Sequence, residues 1–380
     1  MRIVVLNEIA GDETRVALVP DSLKKLGGFK ATVAVESGAG VEAGASDDDY
    51  KSAGAEIFVD RNQALASADV LAAVNLPGDE VIRQVRRGAA VIGFMRPLDS
   101  PERLVPMIEH GLTGFSVELI PRTTRAQSMD ALSSMATIVG YKAVLLAADR
   151  LPKMFPMLTT AAGTVPPAKA LVLGAGVAGL QAIATARRLG AVVEGFDVRA
   201  AAGEAVRSLG AKFLEVDLAG IQTEDAGGYA KELTEEAMNR GRDMIAKQAR
   251  QADVIVTSAQ VPGKAAPLLV TESAVKSMKH GSVIVDLAAS TGGNCALTSP
   301  GETIEVDGVT IMAPLNLAAT VPVHASQLYS RNLVAFLELL VKDGALNVDL
   351  TNEILSQSCV AHEGEAVSPR VRAALEAGVA

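Results

Sequence analysis

The run Ala170-Leu171-Val172-Leu173-Gly174-Ala175-Gly176-Val177-Ala178-Gly179-Leu180 decides the fold. Its first four residues are apolar and read as a buried strand. Three glycines follow at the spacing G-x-G-x-x-G, and residues 180–189 continue with helical character. Each glycine has a task in a strand–turn–helix that receives a dinucleotide. Gly174 permits the tight turn, Gly176 lets the backbone approach a pyrophosphate, and Gly179 lets the helix pack close to the strand. Val177 opens that helix, whose N–H groups and positive dipole end favour a phosphate. The glycine spacing alone is weak evidence. Here a second strand, 192–196, ends in Asp197, within the roughly 20 residues expected of an acid that binds the adenosine ribose. A carboxylate there accepts the ribose hydroxyls and repels a 2′-phosphate, which favours NAD(H) over NADP(H). Arg199, two residues on, pulls the other way, but the acid holds the strand tip.

Outward from this turn, the block from 169 to about 312 alternates strands and helices. Strands are expected at 170–173, 192–196, 212–214, 254–257 and 282–286. Asp307-Gly308, flanked by apolar 303–306 and 309–312, signals a hairpin. The first third has the same rhythm, with strands at 2–6, 31–35, 56–59, 70–74, 90–94 and 112–117 and helical patterns at 20–26, 79–86 and 101–110. A long helical pattern, 128–151, carries Leu132, Met135, Val139, Ala143 and Leu146 at helical spacing. Residues 159–167 punctuate the chain after it. A last amphipathic helix, 326–341, is too short a block for a domain and is expected to return to the first sheet. The fold expected is α/β: two Rossmann-like, doubly wound parallel-sheet domains separated by a cleft. One is 1–133 plus 315–380, and the other is 134–314.

Composition narrows the function. Nearly half of the 380 residues are apolar, and the formal net charge is -9, which disfavours a nucleic-acid partner, since that would need a concentrated basic face. Two distant cysteines, Cys295 and Cys359, make no disulfide framework and suit a reducing compartment. The uncharged stretch 170–186 falls short of the roughly 20 residues a membrane-spanning helix needs and contains the three glycines, so no insertion is expected. The four histidines lie in no metal or catalytic motif, and no HExxH or CxxC occurs, so no metal is expected. Two loops stand out. Residues 121–130 gather Arg122, Arg125, Gln127 and Asp130 before the long helix, a pattern that by itself reads as a solvated loop with Ser128 or Asp130 as a helix cap. Residues 225–230 set Gly227-Gly228 beside Tyr229, in keeping with either a hinged lid or a plain turn.

Several stretches together resemble the NAD(H)-binding subunit (domain I, the alpha-1 type) of proton-translocating nicotinamide nucleotide transhydrogenase, over essentially the whole chain. They are Arg125-Ala126-Gln127-Ser128-Met129-Asp130 with Leu132-Ser133-Ser134, Ala161-Ala162-Gly163-Thr164-Val165-Pro166-Pro167-Ala168, Gly176-Val177-Ala178-Gly179-Leu180-Gln181-Ala182, and Gly227-Gly228-Tyr229-Ala230-Lys231. Asp286-Leu287-Ala288, Gly292-Gly293-Asn294-Cys295 and Ser326-Gln327-Leu328-Tyr329 complete the set. The resemblance implies that Arg122, Gln127, Asp130 and Ser133 hold the nicotinamide end of NAD(H), with Gln127 also reaching toward an NADP(H) presented by a partner domain. It implies that Tyr229 closes over the nucleotide, that Asp197, Val198 and Arg199 form the adenosine-ribose site, and that Gly228 and Gln260 make further contacts. Gln260 departs from the leucine common in the family.

The resemblance also implies a homodimer on the cytoplasmic face of a bacterial inner membrane. The NADP(H)-binding domain and the membrane component that moves protons are then expected on other chains. The family is related to alanine dehydrogenase, which supplies a rival reading. Glu13-x-Arg15-Val16-Ala17 is shared by both, but Asn75 and Arg96 stand where alanine dehydrogenases carry a catalytic Lys and His. Arg15 is then expected to be structural. Their loss suits a direct hydride transfer between two nicotinamides, in which no substrate proton moves and no general acid is needed. A non-catalytic NAD-sensing protein is the second rival.

Overall fold

Short runs of buried apolar residues form the strands of two sheets in the computed structural model, which describes every residue except 9–12, 217–233 and 379–380. In the first sheet, β1 (Arg2–Val5), β2 (Thr32–Glu36), β3 (Glu56–Phe58), β4 (Val70–Asn75), β5 (Ala90–Phe94) and β6 (Thr113–Ser116) are all parallel, in the order β6-β5-β4-β1-β2-β3. Val70 to Val74 are without solvent exposure. A strand covered on both faces has no polar side to show, so its sequence is a continuous apolar run.

The second part of the chain holds β7 (Leu158–Thr160), β8 (Gly163–Val165), β9 (Lys169–Leu173), β10 (Val192–Phe196), β11 (Lys212–Leu214), β12 (Val254–Thr257), β13 (Val283–Asp286), β14 (Thr303–Val306) and β15 (Val309–Met312). Seven of these make a sheet in the order β11-β10-β9-β12-β13-β15-β14, parallel except for the edge strand β14. The strand order reverses between β9 and β12. In open α/β sheets the crevice at the strand ends beside such a reversal is where ligands bind, and β9 leads directly into Gly174.

After 340 come β16 (Val341–Lys342), β17 (Ala345–Leu346), β18 (Cys359–His362) and β19 (Glu365–Ala366). β18 pairs antiparallel with β6 and extends the first sheet to eight strands, so the tail does return there. Three hairpin turns share one geometry. Asp307-Gly308 (φ 49° and 75°), Asp343-Gly344 (54° and 80°) and Glu363-Gly364 (49° and 84°) are left-handed at both residues, which matches the twist of the flanking strands.

The chain divides into two units, Met1–Met135 with Ala318–Ala380, and Ala136–Leu317. The division falls within the helix Ala131–Arg150. Among the described residues this is the one helix long and apolar enough to cross a membrane by length and composition. Its apolar side chains have a use within the chain: Ala143, Val144 and Ala147 enter the core of the second unit. The uncharged stretch 170–186 is no span; it is β9, a turn and the helix Val177–Arg188.

Some local expectations change. The helix expected from 128 begins at Ala131, because a 3-10 helix, Thr124–Met129, precedes it. Asp130 is the cap: its carboxylate accepts the Ser133 N–H at 2.8 Å. The pattern at 101–110 breaks into a 3-10 helix, Pro101–Leu104, and a short helix, Val105–Glu109. Residues 159–167 are the greater part of a hairpin, β7 and β8, with every strand residue exposed.

Carboxylates tie down the ends of the first sheet's strands. Glu8 accepts the Val74 and Asn75 N–H groups at 2.7 and 2.9 Å. Glu118 accepts those of Met95 and Arg96 and the Ser116 hydroxyl. Burial pushes the Glu8 carboxyl up to about 7 against the two N–H groups that favour its charged form. Between its ordinary 4.5 and about 7 the folded chain therefore keeps a proton that the unfolded chain has released. That linkage makes stability fall as pH rises through this window. Glu8→Gln removes the dependence. Urea unfolding of variant and wild type is expected to nearly coincide at pH 4.5, with the variant gaining on the wild type by pH 7.5; a constant difference across that range contradicts the assignment.

Candidate functional site

The glycine turn is shaped by contact. A Cβ added at Gly179 would lie 1.7 Å from the Gly174 carbonyl oxygen, so the helix starts against the strand end with no room for a side chain. Gly174 has φ +94°, and a Cβ there would meet Ser258 Oγ at 2.9 Å and Ala259 N at 3.0 Å. Gly140, in the long helix, fits against the Ala178 carbonyl, where a Cβ would come within 2.1 Å. Gly176 differs from all three: a Cβ there meets nothing within 4 Å. It is the N-cap of the helix Val177–Arg188, and no side chain caps it. The turn is thus packed tightly from behind and open in front, and the first-turn N–H groups and the helix dipole are suited to an anion.

Asp197 follows β10 and is 9% exposed. Its carboxylate accepts four hydrogen bonds. Oδ2 takes the Ala175 N–H at 2.7 Å and Arg199 Nη2 at 2.8 Å, and Oδ1 takes the Arg199 N–H at 2.8 Å and Arg199 Nε at 2.9 Å. Arg199 therefore does not compete with the acid for a role at the strand tip; the two form one ion pair. Two of the donors are backbone groups fixed by the turn, while the guanidinium belongs to a side chain that can rotate away. Val198 is half-buried against the core beside Phe196 and Leu214.

Behind the turn lies a network that sequence reasoning left without a role. Asp286, fully buried at the end of β13, accepts from Thr257 Oγ1, Thr298 Oγ1 and the N–H groups of Ala288, Asn294 and Cys295. Asn294, also fully buried, accepts the Ala259 N–H at 3.0 Å and donates to the carbonyls of Ala259 and Pro267. Ser258 in turn donates to the Gly174 carbonyl at 3.2 Å. An acid at the end of a buried strand, followed by Gly-Gly-Asn, was the available signal. Gln260 is exposed and donates to the Leu287 carbonyl at 3.3 Å.

The other group of expected residues lies in the first unit. Asp130 and Ser133 are brought together by two hydrogen bonds, the second from Ser133 Oγ to Asp130 Oδ2 at 2.6 Å. Arg122 and Gln127 are exposed on the segment leading to them, which Ala126 and Met129 anchor by burial. Gly228 and Tyr229, with the loop 225–230, lie outside the described residues. Among the described residues no cluster of His, Cys, Asp and Glu could hold a metal ion. Both cysteines are buried.

Arg15 is held by Glu13 through Nε and Nη2 at 2.7 and 2.6 Å, and both residues are buried. Burial alone would raise the Glu13 carboxyl; the Arg15 hydrogen bonds and charge overcome it and hold the group below its ordinary value. Asn75 Nδ2 donates to the same carboxylate at 2.8 Å. Arg96 follows β5 with φ +51°, its N–H given to Glu118 and its side chain exposed. Neither residue supplies a proton donor of ordinary acid–base catalysis.

Comparison with known proteins gives a consistent result. Residues 4–139 match the family model "Alanine dehydrogenase/PNT, N-terminal domain", and residues 143–369 match "Alanine dehydrogenase/PNT, C-terminal domain". The second model runs past Leu317, beyond which the chain packs with the first unit. The chain is 44% identical over 377 residues to an NAD(P) transhydrogenase subunit alpha chain of Rhodospirillum rubrum, covering 97% of this chain and 98% of that protein. It is 30% identical over 363 residues to the alanine dehydrogenase of Bacillus subtilis (strain 168), covering 93% and 89%. Among solved structures it is similar to a transhydrogenase from Sinorhizobium meliloti, with TM-score 0.85, 42% identity, and 97% and 99% of the two chains covered. With both family models matched in order and these relatives aligned nearly end to end, this chain belongs to the alanine dehydrogenase/PNT family.

Proposed function

We propose that this chain is the NAD(H)-binding subunit of a proton-translocating transhydrogenase, passing hydride directly between NADH and an NADP+ held by a separate domain. The observation that carries the reading is the turn at Gly174–Gly179, packed from behind and open at Gly176, with Asp197 at the tip of the next strand. In this reading Gly174, Gly176, Val177 and Gly179 receive the pyrophosphate, and Asp197, Val198 and Arg199 receive the adenosine ribose. The diol takes the lone pairs that the Arg199 guanidinium holds in this structure. Arg122, Gln127, Asp130 and Ser133 hold the nicotinamide end, Tyr229 closes over the nucleotide, and Gly228 and Gln260 add contacts. NADH supplies the hydride at C4 of its nicotinamide. The chain's residues orient the ring and exclude water so that a second ring can stand at roughly 3–3.5 Å.

The rival, an alanine-type dehydrogenase, has the family relationship in its favour. Against it stand Asn75, which donates to Glu13, and the exposed Arg96, in place of the Lys and His that the resemblance leads one to expect there. Partner chains belong to the same proposal: an NADP(H)-binding domain and a membrane component that moves the protons, with this chain on the cytoplasmic face of a bacterial inner membrane. A homodimer is supported by the hairpin β7–β8. An isolated two-stranded hairpin is marginal in water, yet this one exposes Met157, Leu158 and Val165 beside Met154, an apolar surface that a second copy would cover.

Three measurements test the reading. Asp197→Ala is expected to weaken NADH binding at least tenfold (~1.4 kcal/mol) in a fluorescence titration. Gln127→Asn is expected to leave that affinity within about threefold, ~0.7 kcal/mol, while slowing hydride transfer to NADP+ on the cognate domain. Equal loss of binding in both contradicts the assigned roles. With L-alanine and NAD+ no NADH is expected to form; steady formation would favour the rival.

A further inference from the structure

Asn332, on the helix Pro322–Leu340, is buried at 7% exposure. Its Nδ2 donates to the Ser128 carbonyl at 2.8 Å. Its Oδ1 is buried and has no hydrogen-bond partner among the described residues. Buried polar atoms are nearly always paired, because stripping water from an unpaired one costs stability. Turning the amide over would not help, since it would set oxygen against the Ser128 oxygen. The carbonyl therefore dictates the orientation that orphans Oδ1. Ser128 is itself exposed, so water would satisfy its carbonyl if Asn332 were gone. A leucine of similar shape would fill the same space without the penalty. What asparagine adds is the fixed position of one peptide group, the one that follows Gln127. That peptide lies in a 3-10 helix whose buried anchors, Ala126 and Met129, flank the exposed Gln127 and Ser128.

We propose that Asn332 is a positioning residue for hydride transfer: by holding the Ser128 carbonyl it fixes the backbone that presents Gln127, and the chain keeps a buried unpaired oxygen for that purpose. The inference rests on the role of Gln127 proposed above. The test compares wild type, Asn332→Leu, Gln127→Asn and the double variant of the full chain with the cognate NADP(H)-binding partner. Three quantities are read: thermal unfolding, NADH affinity and the transfer rate at saturating NADH. Asn332→Leu is expected to unfold at the same or a higher temperature and to bind NADH within about threefold of wild type, ~0.7 kcal/mol. Its transfer rate is expected to fall at least tenfold. The double variant is expected to be no slower than the slower single variant, because both changes disable one device. A leucine variant as fast as wild type overturns the proposal. So does one that loses stability and affinity together, or a double variant whose losses multiply. Absence of transfer in the wild type counts instead against the function proposed above, so the two failures are distinguishable.

Discussion

The contact between Gly179 and the Gly174 carbonyl sets the geometry of the second unit. With no atom to spare between them, the helix Val177–Arg188 begins where β9 ends, and its axis is fixed relative to the sheet. Gly140 repeats the device on the far side, bringing the long helix onto Ala178. Glycine in a helix interior costs roughly 1 kcal/mol against alanine. Close packing makes that cost unavoidable here, because any side chain would push the helix off the turn. Only Gly176 faces open space. The same three-glycine pattern thus combines two tight contacts with one deliberate gap, and the gap is where a backbone can meet a phosphate.

Around this turn, buried polar groups work as tethers rather than as reagents. Asp197 holds Ala175, Asp286 gathers the loop after β13, and Asn294 passes that order on to Ala259 beside Gly174. In the first unit Glu8 and Glu118 hold strand ends, and Glu13 neutralises Arg15. A carboxylate that accepts several fixed N–H groups rigidifies the loop it binds, at the expense of its own availability for chemistry. This pattern suits a protein whose task is to hold a nucleotide still. A direct transfer of hydride needs position and dryness, and it makes no demand for a proton at the reacting carbon.

Much of the fold is legible because its signals are local. Parallel strands buried on both faces announce themselves as apolar runs, and Val70–Asn75, Val254–Thr257 and Val283–Asp286 are visible on that ground. Asp307-Gly308 is readable as a hairpin from its apolar flanks. Asp343-Gly344 has the same turn, but its strands are two residues long, too short to show a pattern. The long helix starts later than its apolar spacing suggests, because a 3-10 turn has nearly the same spacing as an α-helix over six residues; only the Asp130 cap separates them. The glycine turn and Asp197 are legible as a motif. The Asp197–Arg199 pair is not, because two residues of opposite sign at that spacing leave open whether they compete or bond. Asn294 and Asn332 are invisible as participants, since their partners lie 35 and 204 residues away along the chain. No spacing rule reaches that far.

The central claim is that the open face of the turn at Gly176 is a phosphate site. A crystal structure of the chain grown with NADH tests it most directly. The account predicts the pyrophosphate over the turn that precedes Leu180, within hydrogen-bond reach of the first N–H groups of the helix, and the adenosine ribose on Asp197 with the Arg199 guanidinium moved aside. NADH bound with its pyrophosphate anywhere else on the chain contradicts it.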